Sequence, residues 1–267
     1  TRVHADPIVQ ATELRLQERT PRDVAVEVAW ASEPKSDAKV EDMSPSGGRL
    51  LKTAHSATPS TKLLSNGSYT VMITAAGSGY SRWKDIAISR WREDATTDNK
   101  GTFCYIREIN SDNYWSASYQ PTLQTGNNYE AVFSQGRAEF RRSDASLDTH
   151  TEIAVSPEDD IELRRIHISN RSRKKRIIEV TSYAEVVLAP AIAEEMHPAF
   201  SNLFVETAVH KDKHAIICTR RPRTPDEQVY WMFHLMKVTD AEVLDVSYET
   251  DRHKFIGRGH TIHQPKV

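Results

Sequence analysis

From Tyr69 onward, apolar and polar positions alternate with a period of two, where a helix would show 3.6. Residues 68–75 (SYTVMITA) set the pattern after a Ser65-Asn66-Gly67 turn, and 101–109 (GTFCYIREI) repeat it after Asp98-Asn99-Lys100-Gly101. Residues 114–119 follow a second polar turn, and 129–133 and 138–142 flank Gln135-Gly136 as a hairpin. Residues 149–155 end at the charged turn 156–160, and 161–169 and 176–188 surround the polar turn 170–175. In 176–188, Ile178, Val180, Ser182, Ala184, Val186 and Leu188 share one face of a single strand. In 161–169 the phase slips at Arg164-Arg165, which predicts a β-bulge. Residues 189–197 break the alternation and predict a helical turn. Strands resume over 203–209, 214–219, 229–238 and 243–250. Many short strands with turn residues between them predict an all-β fold, a large antiparallel β-sandwich.

The first part of the chain reads differently. Asp6 as N-cap, Pro7 in the first turn and Pro21 as a stop predict a short helix over 6–20. Residues 31–62 are rich in Ser, Pro, Lys, Asp and Gly and predict a linker. The expected organisation is an N-terminal helix and linker over 1–62, then one β domain over 63–267.

Composition narrows the function. The net charge of −2 argues against a dedicated nucleic-acid binder, which carries a basic excess. A mean hydropathy of −0.58, with no apolar run of spanning length and no signal-peptide core, predicts a soluble domain. The start at Thr1 and the stop at Val267 lead us to expect a piece of a longer polypeptide. Cys104 and Cys218 each fall inside a strand pattern and are expected to be reduced and inert, which favours a cytoplasmic setting.

The candidate chemistry lies in 77–94, GSGYSRWKDIAISRWRED. Tyr80, Trp83 and Trp91 are interleaved there with Arg82, Lys84, Arg90 and Arg92, and Glu93 and Asp94 follow. A flat ring covers the C–H face of a pyranose, and forked donors and carboxylates take its hydroxyls. The opposing reading is that both indoles pack in the core or against another domain; their spacing of eight allows one strand face. Tyr114, Trp115 and Tyr119 follow a polar turn and form a second candidate sugar-facing group, with Asn113 and Gln120 as amide partners.

Other clusters read as structural. His197, Phe200, Ser201 and Asn202 suggest loop architecture. Glu93-Asp94 and the Glu158-Asp159-Asp160 turn read as solvated carboxylates, because a glycosidase pair must face one sugar across about 5–9.5 Å. His210 with His214, and His260 with His263, are accompanied by no Cys pair and no H-E-x-x-H motif, so no metal or cofactor is expected. His167, His197 and His234 have no carboxylate partner visible in sequence, and no catalytic residue is assigned. The basic runs Arg171, Arg173, Lys174, Lys175, Arg176 and Arg220, Arg221, Arg223 read as solvated turns, with a phosphate or anionic glucan as a weaker alternative.

Together, the segments LLSNGSYTVMITAAGSGYSRWKDIAISRWRED, GTFCYIREI, YWSASYQPT, SPEDDIELRRIHISNRS, IEVTSYAEVVLAP, HPAFSNLFVET and CTRRPR resemble a known family. It is the cyclic β-1,2-glucan synthase and cellobiose phosphorylase group, once glycosyltransferase family 36 and now glycoside hydrolase family 94. The resemblance spans Asp6 to about Gly259. It implies a large two-sheet supersandwich similar to galactose mutarotase, preceding an (α/α)6 barrel that carries the general-acid Asp. No position here matches that Asp. The implied role is a carbohydrate-binding or substrate-positioning module of a larger synthase or phosphorylase. Its implied partners are a β-glucan or oligosaccharide and the barrel, and its parent is compatible with an inner-membrane setting. The alternative is a structural module that packs on the barrel or forms a homodimer, and a self-contained mutarotase-like epimerase ranks behind both.

Overall fold

The computed structural model describes residues 42–43, 47–56, 58–94, 96–111, 113–196 and 201–266. The period-two pattern produces antiparallel strands throughout, as the alternation requires. One layer is a six-stranded sheet in the order β1-β2-β9-β10-β11-β12. Its strands are β1 (Asp42–Met43), β2 (Arg49–Leu51), β9 (Asn127–Phe133), β10 (Ala138–Asp144), β11 (Leu147–Val155) and β12 (Glu162–Asn170).

A five-stranded sheet, in the order β14-β6-β5-β4-β3, packs against it. This sheet comprises β3 (Thr61–Ser65), β4 (Tyr69–Thr74), β5 (Gly79–Trp83), β6 (Ile86–Ser89) and β14 (Val186–Pro190). Leu64, Tyr69, Val71, Ile73 and Ala75 from it meet Ala131, Phe133, Ala138, Phe140 and Ile153 of the larger sheet in one buried cluster. These are the inward positions of alternating strands, and their burial is the main stabilising term.

A three-stranded sheet of β13 (Ile178–Tyr183), β7 (Phe103–Glu108) and β8 (Tyr114–Ser116) covers the rest of the same face. Cys104, Ile106, Trp115 and Ala117 pack there with Leu147, Ile166 and Ile168. Its opposite face carries Phe103, Tyr105 and Tyr183, covered by Phe255 and Ile256 of a short helix, Arg252–Ile256. Asp251 caps that helix by accepting from the His253 N–H at 2.8 Å. The last sheet joins β15 (Val205–His210), β16 (Ala215–Arg220) and β17 (Trp231–Leu235). Among the described residues, no helix is long and apolar enough to cross a membrane. The helical turn expected over 189–197 is the helix Ala191–Met196.

Several expectations change. The helix predicted over 6–20 lies outside the described residues. Residues 49–51, expected in the linker, pair with β9, and 61–62 already belong to β3. No bulge occurs at Arg164-Arg165; β11 and β12 stay in continuous register from Leu147↔Asn170 to Val155↔Glu162. Instead, Glu162 and Arg164 occupy inward positions in phase with Ile166 and Ile168, and Leu163 points out, 58% exposed. The inward polarity is tolerated because Arg164 Nε donates to Glu162 Oε1 at 2.6 Å and its Nη1 donates to the Thr102 carbonyl at 2.7 Å. The register shifts that do occur lie between Arg141 and Ser143 and between Val186 and Ala189. Residues 176–188 are not one strand: β13 and β14 join different sheets, and the chain breaks at Ala184-Glu185. Residues 243–250 form no strand ladder.

Candidate functional site

The stretch 77–94 folds as β5, a tight turn and β6. Gly79 is required here: its φ is +153°, and a Cβ built on it would sit 1.8 Å from the Met72 carbonyl oxygen. β5 therefore lies close against β4, with Tyr80 opposite Met72 and Arg82 opposite Thr70.

Alternation along β5 splits its aromatics between two faces. Trp83 lies on the inward side, packed against the main core cluster. Its Nε1 donates to Asp160 Oδ2 at 2.5 Å, and Lys84 Nζ stands 4.3 Å from its ring centroid. Tyr230 covers it further, at 5.7 Å between centroids. Tyr80 is on the outward side, where Arg82 Cζ stacks 4.5 Å from its centroid and Trp91 meets it edge-on at 5.7 Å. The spacing of eight does not put the two indoles on one face, because the Lys84-Asp85 turn separates them.

Arg90 leaves the candidate surface altogether. Its Nη1 donates to Glu185 at 2.7 Å, its Nε to Glu194 at 2.6 Å and its Nη2 to Asn202 Oδ1 at 2.5 Å. Each nitrogen of its guanidinium is engaged in a nearly buried network, so Arg90 is held by the fold and not presented on the candidate surface. Arg92 and Glu93 are exposed beyond β6. Asp94 accepts from the Thr96 hydroxyl at 2.6 Å and from the Thr96 N–H at 2.9 Å. The Thr96 hydroxyl first, then the Thr96 and Thr97 donors, hold its carboxyl down to about 2, so it remains an anion at any ordinary pH.

In the second candidate group, Trp115 is 2% exposed and packs with Cys104, Ile106 and Leu147. It is a core residue, placed inward by β8, and not sugar-facing. Tyr114 stays half-buried on the rim of a cleft of about 230 Å³, lined also by Asn113, Gln124, Thr125 and Asp144. The amide of Gln120 donates to the Thr97 carbonyl at 3.2 Å, a loop-to-loop tie. Among the described tryptophans, iodide should therefore quench mainly Trp231, 72% exposed, and leave Trp115 unquenched. Trp231→Phe should remove a strongly quenchable component, and Trp115→Phe should not; equal losses from both would refute this placement.

Other expectations shift as well. Asp160 is not simply solvated: it accepts from the Ser68 hydroxyl and from Trp83, and these two donors, Ser68 foremost, hold its pKa down. Residue separations of 92 and 77 leave no local sequence signal for these contacts. His234 Nε2 lies 2.7 Å from Ser182 Oγ, and burial lowers its pKa and favours the neutral ring. His167 is exposed on β12, and His197 lies outside the described residues. Both cysteines are free and buried, with burial pushing Cys104 up to about 12 and Cys218 up to about 11.

One group has metal-ligand geometry that the sequence did not reveal: Glu139, His150 and Glu152, on neighbouring strands of the six-stranded sheet. Arg137 meets both carboxylates, at 2.8 and 3.1 Å, Arg141 meets Glu139 at 3.0 Å, and Arg165 meets Glu152 through Nε at 2.6 Å. Burial raises the Glu139 pKa, but the His150 hydrogen bond and the charges of Arg137 and Arg141 outweigh it and leave it lowered. The guanidiniums already supply the positive charge that a cation would bring, and we read the group as an ion-pair network.

The model of the glycosyl hydrolase 94 supersandwich domain matches residues 47–267. The chain is 36% identical over 260 residues to a cyclic beta-(1,2)-glucan synthase of Rhizobium meliloti, covering 97% of this chain and 9% of that protein. It is 22% identical over 211 residues to an N,N'-diacetylchitobiose phosphorylase of Vibrio proteolyticus, covering 74% of this chain and 24% of that one. The chain thus corresponds to under a quarter of each relative's length.

Proposed function

The chain belongs to the glycosyl hydrolase 94 supersandwich-domain family, and from that membership we propose that it is a non-catalytic module of a larger glucan synthase or glycoside phosphorylase. In this reading the module presents the outward face of its five-stranded sheet to a β-glucan or oligosaccharide. The observation that supports it is the grouping of Tyr80, Arg82 and Trp91 on that face. The Trp91 ring offers a platform and Arg82 a forked donor, with Arg92 and Glu93 at the rim. Trp83, Arg90 and Trp115 position this surface and do not line it.

A stacked pyranose gains about 1–2 kcal/mol beyond area burial, by analogy with aromatic pairs. A single such contact gives about millimolar affinity. Titration with β-1,2-gluco-oligosaccharides, followed by amide NMR, should give saturable shifts centred on 80–92. Trp91→Ala should weaken them several-fold, and Trp83→Phe should leave them in place. An absence of shifts at tens of millimolar, with the chain folded, would defeat the sugar reading.

A second reading has its own observation. β17 exposes Trp231, Phe233 and Leu235 at 72%, 60% and 54%, all on one face of its sheet. Contiguous exposed apolar surface marks contact with another protein surface, so we propose packing on the parent's catalytic domain, or on a second copy, as the alternative role. If oligosaccharide gives no shifts while Phe233→Lys abolishes self-association in sedimentation, the scaffold reading stands alone.

A further inference from the structure

Three guanidinium groups gather about one phenylalanine ring at the end of the β15-β16 hairpin. The Cζ atoms of Arg220, Arg221 and Arg223 lie 5.3, 5.5 and 5.7 Å from the Phe204 centroid. The backbone explains the convergence. Val205 pairs with Arg220, and the Arg221 N–H donates to the Phe204 carbonyl at 2.8 Å. Neighbouring residues of a continuing strand would point to opposite faces. β16 ends at Arg220, and Pro222 redirects the chain, so that Arg221 and Arg223 come to the same ring as Arg220.

The three cations are not equivalent. Arg220 is fixed: its Nη1 donates to the Val187 carbonyl at 2.9 Å and the Ser201 carbonyl at 3.1 Å. Arg221 and Arg223 are exposed, and among the described residues their side chains make no hydrogen bond or ion pair. The other basic run differs, since Arg171 meets Asp148 and Arg176 meets Glu108, both at 2.5 Å. Glu227 lies close, but its Oε2 accepts from the Arg223 backbone N–H at 2.5 Å. The electrostatic cost is visible at Arg220, whose pKa is lowered by burial and then by the charge of Arg223. The π-face of Phe204 offsets part of that repulsion and spaces the guanidiniums.

Guanidiniums grouped about one ring offer forked donors of the kind that bind the oxygens of a tetrahedral oxyanion, and their clustered positive charge, offset in part by Glu194 and Glu227, favours a doubly charged one. We propose that Arg220, Arg221 and Arg223, arranged on Phe204, form a binding site for a phosphate-type dianion. Arg220 is the fixed wall, Phe204 the floor, and Arg221 and Arg223 supply the free donors. The dianion arrives as free inorganic phosphate or as the phosphoryl group of a sugar phosphate. The site does not depend on the sugar surface.

The test is calorimetric titration of the 267-residue chain with inorganic phosphate and, separately, with glucose 6-phosphate, at ionic strength held constant with chloride. The Arg Nε–Hε NMR signals give the second readout. A saturable one-site response is expected, moving the Arg221 and Arg223 signals. R221Q/R223Q should weaken it by about tenfold or more, the scale of losing charge-assisted hydrogen bonds. Arg173→Gln, in the exposed basic turn 170–175, should leave it unchanged. Saturation by phosphate alone assigns the free ion, and tighter binding of glucose 6-phosphate assigns a phosphosugar. A response that never saturates, or one that survives in R221Q/R223Q, overturns the site. Should the double variant fail to fold, R223Q alone is read by the same criterion, since the Arg223 side chain makes no hydrogen bond or ion pair among the described residues.

Discussion

Arg142→Met is expected to lower the unfolding free energy by about 3–5 kcal/mol, the scale of breaking a buried ion pair from one side. Arg142 is 2% exposed. Its Nε and Nη2 donate to the two oxygens of Asp144, each at 2.7 Å, in a forked pair. Nη2 also donates to the Gln124 carbonyl at 2.9 Å, and Nη1 donates to the Ser118 carbonyl. One guanidinium thus ties the loop after β8 to the end of β10, where the β9–β10 register shifts. Gly126 belongs to the same arrangement, since a Cβ there would stand 2.9 Å from Arg142 Nε. Methionine fills much of the volume but leaves a carboxylate and two carbonyls without donors. Urea unfolding followed by tryptophan fluorescence measures the loss, and a change under about 1 kcal/mol would contradict the assignment. R142M/D144L should recover part of the stability, because removing both charges leaves no unpaired ion behind.

Much of the fold was legible in the sequence, for a physical reason. Alternation reports burial wherever the inward positions are apolar, as at Val71, Ile73, Phe140 and Ile153. It misleads where an inward position is charged and paired. Glu162 and Arg164 write polar letters into the buried phase of β12, and their mutual hydrogen bond makes this tolerable. In sequence that arrangement looks the same as a register slip. The division of 176–188 was hidden for a related reason: both halves alternate correctly, and the change of sheet occurs at Glu185, whose partners lie elsewhere in the chain.

The candidate surface was legible only in part. Local composition located the Trp and Arg residues but could not say which guanidinium had free donors. Arg82 and Arg90 read alike, yet one stacks on Tyr80 beside Trp91 and the other is enclosed by Glu185, Glu194 and Asn202. Those partners are 95, 104 and 112 residues away. Trp115 was misplaced because a polar turn precedes it; β8 starts immediately after that turn and directs the indole inward.

Arg90→Met is the second large effect, also expected at about 3–5 kcal/mol. Arg90 joins β6 to the helix Ala191–Met196 and to the Ala184-Glu185 break, and it is nearly buried, as are both carboxylates. Glu185 retains another cation, since Arg252 Nε donates to its Oε1 at 2.9 Å. Glu194 keeps no other hydrogen-bonded cation among the described residues: its Oε1 accepts from Arg90, its buried Oε2 has no hydrogen-bond partner there, and Arg220 acts on it through charge alone. The variant therefore strands Glu194, and R90M/E194Q should regain part of the loss by removing that charge. The pH dependence has a defined sign. Burial raises the Glu185 pKa, but Arg252 and Tyr183 as donors and the charges of Arg252 and Arg90 leave it below its ordinary 4.5. A carboxylate lowered by folding stabilises fully above its unfolded pKa, so this contribution is complete above about pH 4.5 and is lost as the pH falls through the lowered folded value. Removing Arg90 narrows that interval, so the extra acid sensitivity contributed by Glu185 should shrink in R90M. The same variant separates a structural role from ligand contact. If Arg90 only holds the fold, folded R90M binds oligosaccharide as wild type does, at reduced thermal stability. Normal stability with lost binding would return Arg90 to the sugar surface.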